Sequence, residues 1–173
     1  MIRKAKAADI DAVVSIYDEI IDAEEAGLTA TGWIRGFYPL RSVPEAALER
    51  DDLFVIEEDG EIKGSGIINH IQAAEYRLAP WEHEADPENV CVLHTLTISP
   101  KAFGRGLGKS FVAFYEAYAR EHGCLELRID TNLKNLPARS LYRKLGYKEI
   151  AVVPTVFNGI TGVEMVIMEK YLG

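Results

Sequence analysis

Apolar positions along the chain change period several times, and each change marks an element. "MIRKA" is a short strand candidate. Over "DIDAVVSIYDEIIDA", Ile10, Val13, Val14, Tyr17, Ile20 and Ile21 recur at helical spacing, with Asp9 placed to cap the helix. "SVPE", Ser42–Glu45, has the form of a capping box with proline in the first turn, opening a helix to about Arg50. "LFVIEEDGEIKGSGIINHI" alternates around Asp59-Gly60 and predicts a β-hairpin with a two-residue turn. "QAAEYRLAPWEHEADPEN", Gln72–Asn89, keeps no period, holds two prolines and predicts a long loop. A strand over Val90–Ser99 follows, then a glycine-rich turn and a helix stopped near Gly123. "CLELRIDT" predicts a strand, and "NLPARSLYRKLG" a short helix from an Asn135 cap to a Gly146 stop. The chain closes on two strands joined at Asn158-Gly159. This order predicts one mixed sheet, of the α/β class, with helices on its faces. The strand–helix–strand unit from Val90 to Thr131 makes its two strands parallel neighbours.

A chain of 173 residues, 48% hydrophobic and 27% charged, fits a single globular domain spanning residues 1–173, and it shows no repeat or linker. A formal net charge of −8 argues against nucleic acid and anionic membrane surfaces as partners. The opening "MIRKAKAADI" reads as neither a signal segment nor a membrane span, so the expected location is cytoplasmic. Cys91 and Cys124, the only cysteines, lie in or beside apolar runs. Free buried thiols are the expectation for a reducing compartment, with a single disulfide left open. His70, His83, His94 and His122 have no ligand-like spacing, so no metal is expected.

The chemistry concentrates in "LTISPKAFGRGLGKSF". Gly104, Gly106 and Gly108 stand at alternate positions between a strand and a helix. Glycine costs roughly 0.5–1 kcal/mol relative to alanine inside either element. Three of them point to backbone amides left bare at the positive end of a helix, a setting for pyrophosphate, with Arg105 and Lys109 adding charge. A dinucleotide site would use Asp130, at the end of the next strand, for a ribose. However, the glycines read G-R-G-L-G, not G-x-G-x-x-G, and a plain tight turn is the bland alternative.

"LTISP" followed by "FGRGLG" resembles the acyl-CoA signature of the GNAT N-acyltransferases, with Gly106 and Gly108 matching and Phe103 standing where the family usually has Gln or Arg. "NLPARSLYRKLGYKEI" resembles that family's second motif at Asn135, Ala138, Leu141, Tyr142, Lys144, Gly146 and Tyr147. Much of this second motif also serves as an amphipathic helix. Asn135 and Tyr142, polar and seven residues apart on one helical face, are what packing alone leaves unexplained.

The resemblance implies a mostly antiparallel GNAT sheet of about seven strands with about four helices, and acetyl-CoA as co-substrate. It implies an N-acetyltransferase that moves the acetyl group directly to a primary amine, without an acyl-enzyme. The alternative is a non-catalytic acyl-CoA-sensing module. Phe103, Gly104, Arg105, Gly106, Leu107, Gly108 and Lys109 would hold the phosphates. Leu96, Thr97 and Ile98 would pair with pantetheine where the two parallel strands splay, and an amide near Leu96 would polarise the thioester. Tyr142 would protonate the leaving thiol and Asn135 would position the pantetheine. For the base, the resemblance points to the fourth strand, where Glu88 and His94 are the candidates; alternation puts His94 with Val92, and Thr95 with Leu93.

The acceptor that the resemblance implies is a small-molecule or peptide amine. Asp22, Glu24, Glu25, Glu82, Glu84, Asp86 and Glu88 form either an acidic rim for it, beside Trp33, Tyr38, Tyr76 and Trp81, or an ordinary solvated surface. Because the family often dimerises, "VVPTVF" and "VEMVIM" are a candidate edge for a homodimer.

Overall fold

In the computed structural model, which describes residues Met1–Gly173, the seven strands join in one sheet of order β1-β2-β3-β4-β5-β7-β6. The elements are β1 (Ile2–Lys4), α1 (Ile10–Glu25), α2 (Ser42–Glu49), β2 (Leu53–Glu58), β3 (Glu61–Asn69), β4 (Val90–Ile98), α3 (Leu107–Glu121), β5 (Glu126–Asn132), α4 (Leu136–Lys144), β6 (Lys148–Phe157) and β7 (Ile160–Tyr171). Every pairing is antiparallel except β4–β5, the parallel pair joined through α3. Both predicted hairpin turns form with two successive left-handed residues, Asp59-Gly60 and Asn158-Gly159, which matches the twist of the strands they join. Tight 3₁₀ turns at Ala74–Leu78 and Pro87–Asn89 punctuate the long loop. No helix is long and apolar enough to cross a membrane.

Strand alternation divides the core. Cys91, Leu93, Leu127, Ile129, Val166 and Met168 face Phe111, Val112, Tyr115 and Ala119 of α3. On the opposite face, Leu53 and Ile67 meet Ile10 and Ala47, while Val55 meets Val13 and Tyr17. There the long loop also brings Tyr76 and Ala79 onto Val90, Val92, Met165 and Ile167. Cys91 and Cys124 are free and buried, and burial pushes the Cys91 thiol up to about 12. β7 lies inside the sheet and β6 forms its edge, so only one strand of the terminal hairpin is free for a partner.

Two predicted caps do not form. The Asp9 carboxylate turns away from α1 to accept from the Lys6 amide at 2.8 Å and from Arg3 at 2.7 and 3.1 Å. A part-buried guanidinium partner outcompetes a helix amide for the same oxygens. Ser42 is the first residue of α2 and makes no cap bond, while Glu45 pairs with Arg41 at 2.8 Å. The Asn135 cap does form, its Oδ1 accepting from the Ala138 amide at 3.3 Å, and Gly146 ends α4 at φ +91°.

Simple alternation fails within β4. Ile67 opposes His94 and Ser65 opposes Thr97, so Thr95 and Leu96 together face Gly66 in a β-bulge. Thr95 sits at φ +48°, a strained setting for a β-branched residue. The extra residue returns Leu96 and Ile98 to the face of Leu93 and sends Thr97 under the sheet, where its Oγ1 meets the Ser65 hydroxyl at 2.9 Å.

Candidate active site

Beyond the bulge, β4 and β5 part. Their pairing runs from Val90 with Glu126 to Leu93 with Ile129 and stops there, although β4 continues to Ile98 and β5 to Asn132. The Ser99 amide donates to the Lys63 carbonyl at 2.8 Å, so the backbone of Ser99 and Thr97 faces β3. By alternation, the amides and carbonyls of Leu96 and Ile98 then face the gap. A sheet edge with free hydrogen-bonding groups lies inside the molecule, where an extended chain can add as a strand.

The gap opens into a cleft of about 760 Å³. One wall is the start of α3. Gly106 occupies the left-handed region at φ +78°, which a side chain would strain. The amide of Ser110 reaches back to the Gly106 carbonyl at 3.0 Å, so those of Leu107, Gly108 and Lys109 have no carbonyl one turn earlier to bond. Gly108 serves packing: a Cβ there would lie 3.2 Å from Leu141 Cδ2, so it lets α3 approach α4 closely. Phe103, Gly104, Leu107 and Lys109 also line the cleft, whereas Arg105 lies outside the lining and pairs with Glu58 at 2.9 Å.

The opposite wall carries Tyr142 and Asn135 from α4, and Asp130 from β5. Tyr142 is buried, its ring edge-on to Tyr147 at 5.9 Å. Burial, reinforced by the nearby Asp130 charge, raises its phenol above the usual value, so it keeps its proton at neutral pH. Asp130 accepts from Tyr76 Oη at 2.8 Å. Desolvation pushes its carboxyl above the ordinary carboxylate range, against the opposing pull of Tyr76 and His94. The sequence suggests only a ribose contact for Asp130, whereas the structure places its carboxyl in the cleft beside Tyr142. The usable signal was its place at the open end of a parallel strand next to the glycine-loop strand.

The two candidate bases from the sequence do not reach the cleft. Glu88 is exposed in the turn before β4, at the end where the two strands are paired. His94 does not line the cleft; its Nε2–H donates to Asn69 Oδ1 at 3.0 Å, and burial holds the imidazole below its usual pKa. Of the acidic rim, none lines the cleft, though Trp33 and Tyr38 do. Tyr76 and Trp81 belong to the core beneath the sheet. Glu82, His83 and Glu169 bring possible ligand atoms within 4.8 Å of one another, away from the cleft. Glu82 there is bonded to Lys148 at 2.6 Å.

Known proteins carry the same frame. The profile described as the Acetyltransferase (GNAT) family matches residues 14–147. The chain is 32% identical over 101 residues to an aminoglycoside N(6')-acetyltransferase type 1 of Klebsiella aerogenes; the match covers 58% of this chain and 61% of that relative's length. A crystal structure of a GNAT-family acetyltransferase from Streptococcus agalactiae superposes with a TM-score of 0.81 at 24% identity, covering 99% of this chain and 94% of that one. YncA of Salmonella typhimurium, solved with its cofactor acetyl-CoA, superposes at 0.70 with 18% identity, covering 100% and 94%.

Proposed function

The chain belongs to the acetyltransferase (GNAT) family, and from that premise we propose that it carries the acetyl group of acetyl-CoA directly to a primary amine, in a ternary complex at the β4–β5 gap. The observation that carries this reading is the coincidence, in one cleft, of a free strand edge, bare helix amides, a protonated phenol and a carboxylate. The pyrophosphate meets the amides at the start of α3, with Lys109 beside it. The pantetheine extends along Leu96–Ile98, where Leu96 and Ile98 pack their side chains against the core while their backbone stays available. Thr97 offers the pantetheine no polar group of its own, because its backbone faces β3 and its hydroxyl is committed to Ser65.

In the transfer step the amine nitrogen forms a bond to the thioester carbonyl carbon, and the Leu96 amide steadies the developing oxyanion. As the C–S bond breaks, its electron pair leaves on sulfur, and the Tyr142 hydroxyl supplies the proton. Asp130 takes the proton from the nitrogen. A raised carboxyl pKa improves its match to that task, and Tyr76 holds it in place. Neither cysteine takes part, since no acyl-enzyme forms. Glu88 has no part in this scheme, and His94 enters it only through its electrostatic pull on Asp130.

The test is thiol release from acetyl-CoA with a panel of amines, together with mass analysis of the amine. An amine heavier by one acetyl group supports the reading. Tight acetyl-CoA binding with no release across the panel would instead favour a sensing module.

A further inference from the structure

The acceptor half of the cleft differs from an acidic funnel, and its differences select among amines. Glu24, in the segment that supplied much of the acidic rim, is consumed by its own loop. Its carboxylate accepts from Thr29 Oγ1, Thr31 Oγ1 and the amides of Thr31 and Gly32 at 2.7–3.0 Å. Asp22 and Glu25 hold Arg35 at 2.6 and 3.0 Å. These bonds fold the stretch after α1 across the sheet and present Trp33 and Tyr38 to the cleft. The rings then run in edge-to-face contact from Tyr17 through Trp33 and Tyr38 to Phe157, with centroids 5.8, 5.9 and 4.8 Å apart. Val163 and Met165 continue the apolar wall. Tyr38 Oη is occupied by Thr95 Oγ1 at 2.5 Å, so this wall offers ring faces and edges more than hydroxyls.

Only two charged side chains line the whole cleft. Lys109 stands at the start of α3, in the cofactor half, and Asp130 lies between the halves. We propose that the acceptor is a primary monoamine on an apolar body of about the size of an aromatic ring, carrying neither a second ammonium nor an anionic group. This rests on the acetyl-transfer reading above. Asp130 satisfies one ammonium, and the rings around it add cation–π attraction for that charge and apolar contact for the body. A second ammonium would be desolvated against Trp33, Phe157 and Met165 with no carboxylate to meet it. A substrate carboxylate would find no cation there and would face Asp130. Polycationic sugars and free amino acids are therefore both poor fits.

Initial rates of thiol release are to be compared for 2-phenylethylamine, spermidine, phenylalanine and kanamycin. The expected result is a kcat/KM for 2-phenylethylamine at least about a hundredfold above the others, the scale on which a site rejects a group it leaves unpaired. Spermidine, kanamycin or phenylalanine leading the series would overturn this proposal and leave acetyl transfer standing. Release with none of the four nor with the wider amine panel, while acetyl-CoA still binds, would overturn the transfer reading and this proposal with it. Phe157→Ala supplies the second arm. It should raise the KM for 2-phenylethylamine about tenfold, roughly the loss expected when a ring contact is removed. An unchanged KM in the folded variant would place the apolar body elsewhere and overturn the assignment.

Discussion

Glu126 and Asp130 stand four residues apart on the same strand and face of β5, and both carboxyls are pushed above the ordinary range, mainly by desolvation. Glu126 lies where β5 is paired to β4 on one side and β7 on the other. It is sealed beside Glu169 and Arg128, with Arg128 3.5 Å away and stacked on Trp81. Both its oxygens are buried without a hydrogen-bond donor, and its pKa is raised to about 8. Asp130 lies further along the strand, past the last β4–β5 pair, and has a cleft in front of it. A perturbed carboxyl therefore does not identify a reactive one; access does. The bulge at Thr95–Leu96 is what separates the two settings, because it ends the ladder between them.

The sharpest way to break this contrast is to neutralise each acid. Asp130→Asn should lower turnover by about 10²–10⁴-fold, the usual worth of general acid–base catalysis, while Glu126→Gln leaves turnover at the wild-type level. Equal losses in the two variants would remove the distinction between them. Because the Asp130 pKa is raised, activity of the wild-type should fall on acidification through a midpoint above the ordinary value of about 3.9, and a pH–rate profile reads this directly. Tyr142→Phe belongs at the same scale. It keeps the ring packing and deletes the proton donor, so kcat should fall about 10²–10⁴-fold with acetyl-CoA affinity little changed.

A smaller effect is expected at the phosphate end. Gly106→Val forces a branched side chain into the left-handed region, at about 1–2 kcal/mol. Relaxation of that strain would misplace the α3 amides and weaken acetyl-CoA binding roughly tenfold, which ligand-induced thermal stabilisation would report. Full stabilisation in the folded variant would remove the phosphate role of this turn.

The last effect leaves activity unchanged and falls on stability alone, at the sealed acid. The folded pKa of Glu126, about 8, stands above the unfolded value of about 4.3. The stability contributed by its bound proton is complete below the unfolded value and is lost as pH rises through about 8. The melting temperature of the wild-type should decline over that interval, and less steeply in Glu126→Gln. Parallel curves would show that Glu126 titrates alike in both states.

The elements of the fold were legible because they depend on local periods and on turn residues. Asp59-Gly60, Asn158-Gly159, Asn135 and Gly146 each set a local conformation that few other residues allow. The Asp9 and Ser42 caps were misread because a cap competes with other partners, and Arg3 and Arg41 are not apparent from the local pattern. In the site, the glycine turn, Asn135 and Tyr142 were recognisable as motif positions. The position of Asp130 in the cleft was not, because it depends on where β4 leaves β5, and that is decided by a single extra residue at Thr95–Leu96. The choice between an acidic rim and an ordinary solvated surface stayed open for a related reason. The sequence shows how many carboxylates a loop holds, whereas Glu24 and Arg35 reveal only in three dimensions that the loop uses them to fold itself.

Backbone amide exchange with and without saturating acetyl-CoA tests the central claim most directly, because it compares the open and closed ends of one strand pair. New protection is predicted at Leu96 and Ile98 and at Leu107–Lys109. The amides of Val90–Leu93, already within the paired part of the sheet, should exchange as before. Binding of acetyl-CoA without any change at Leu96 and Ile98 would contradict the account.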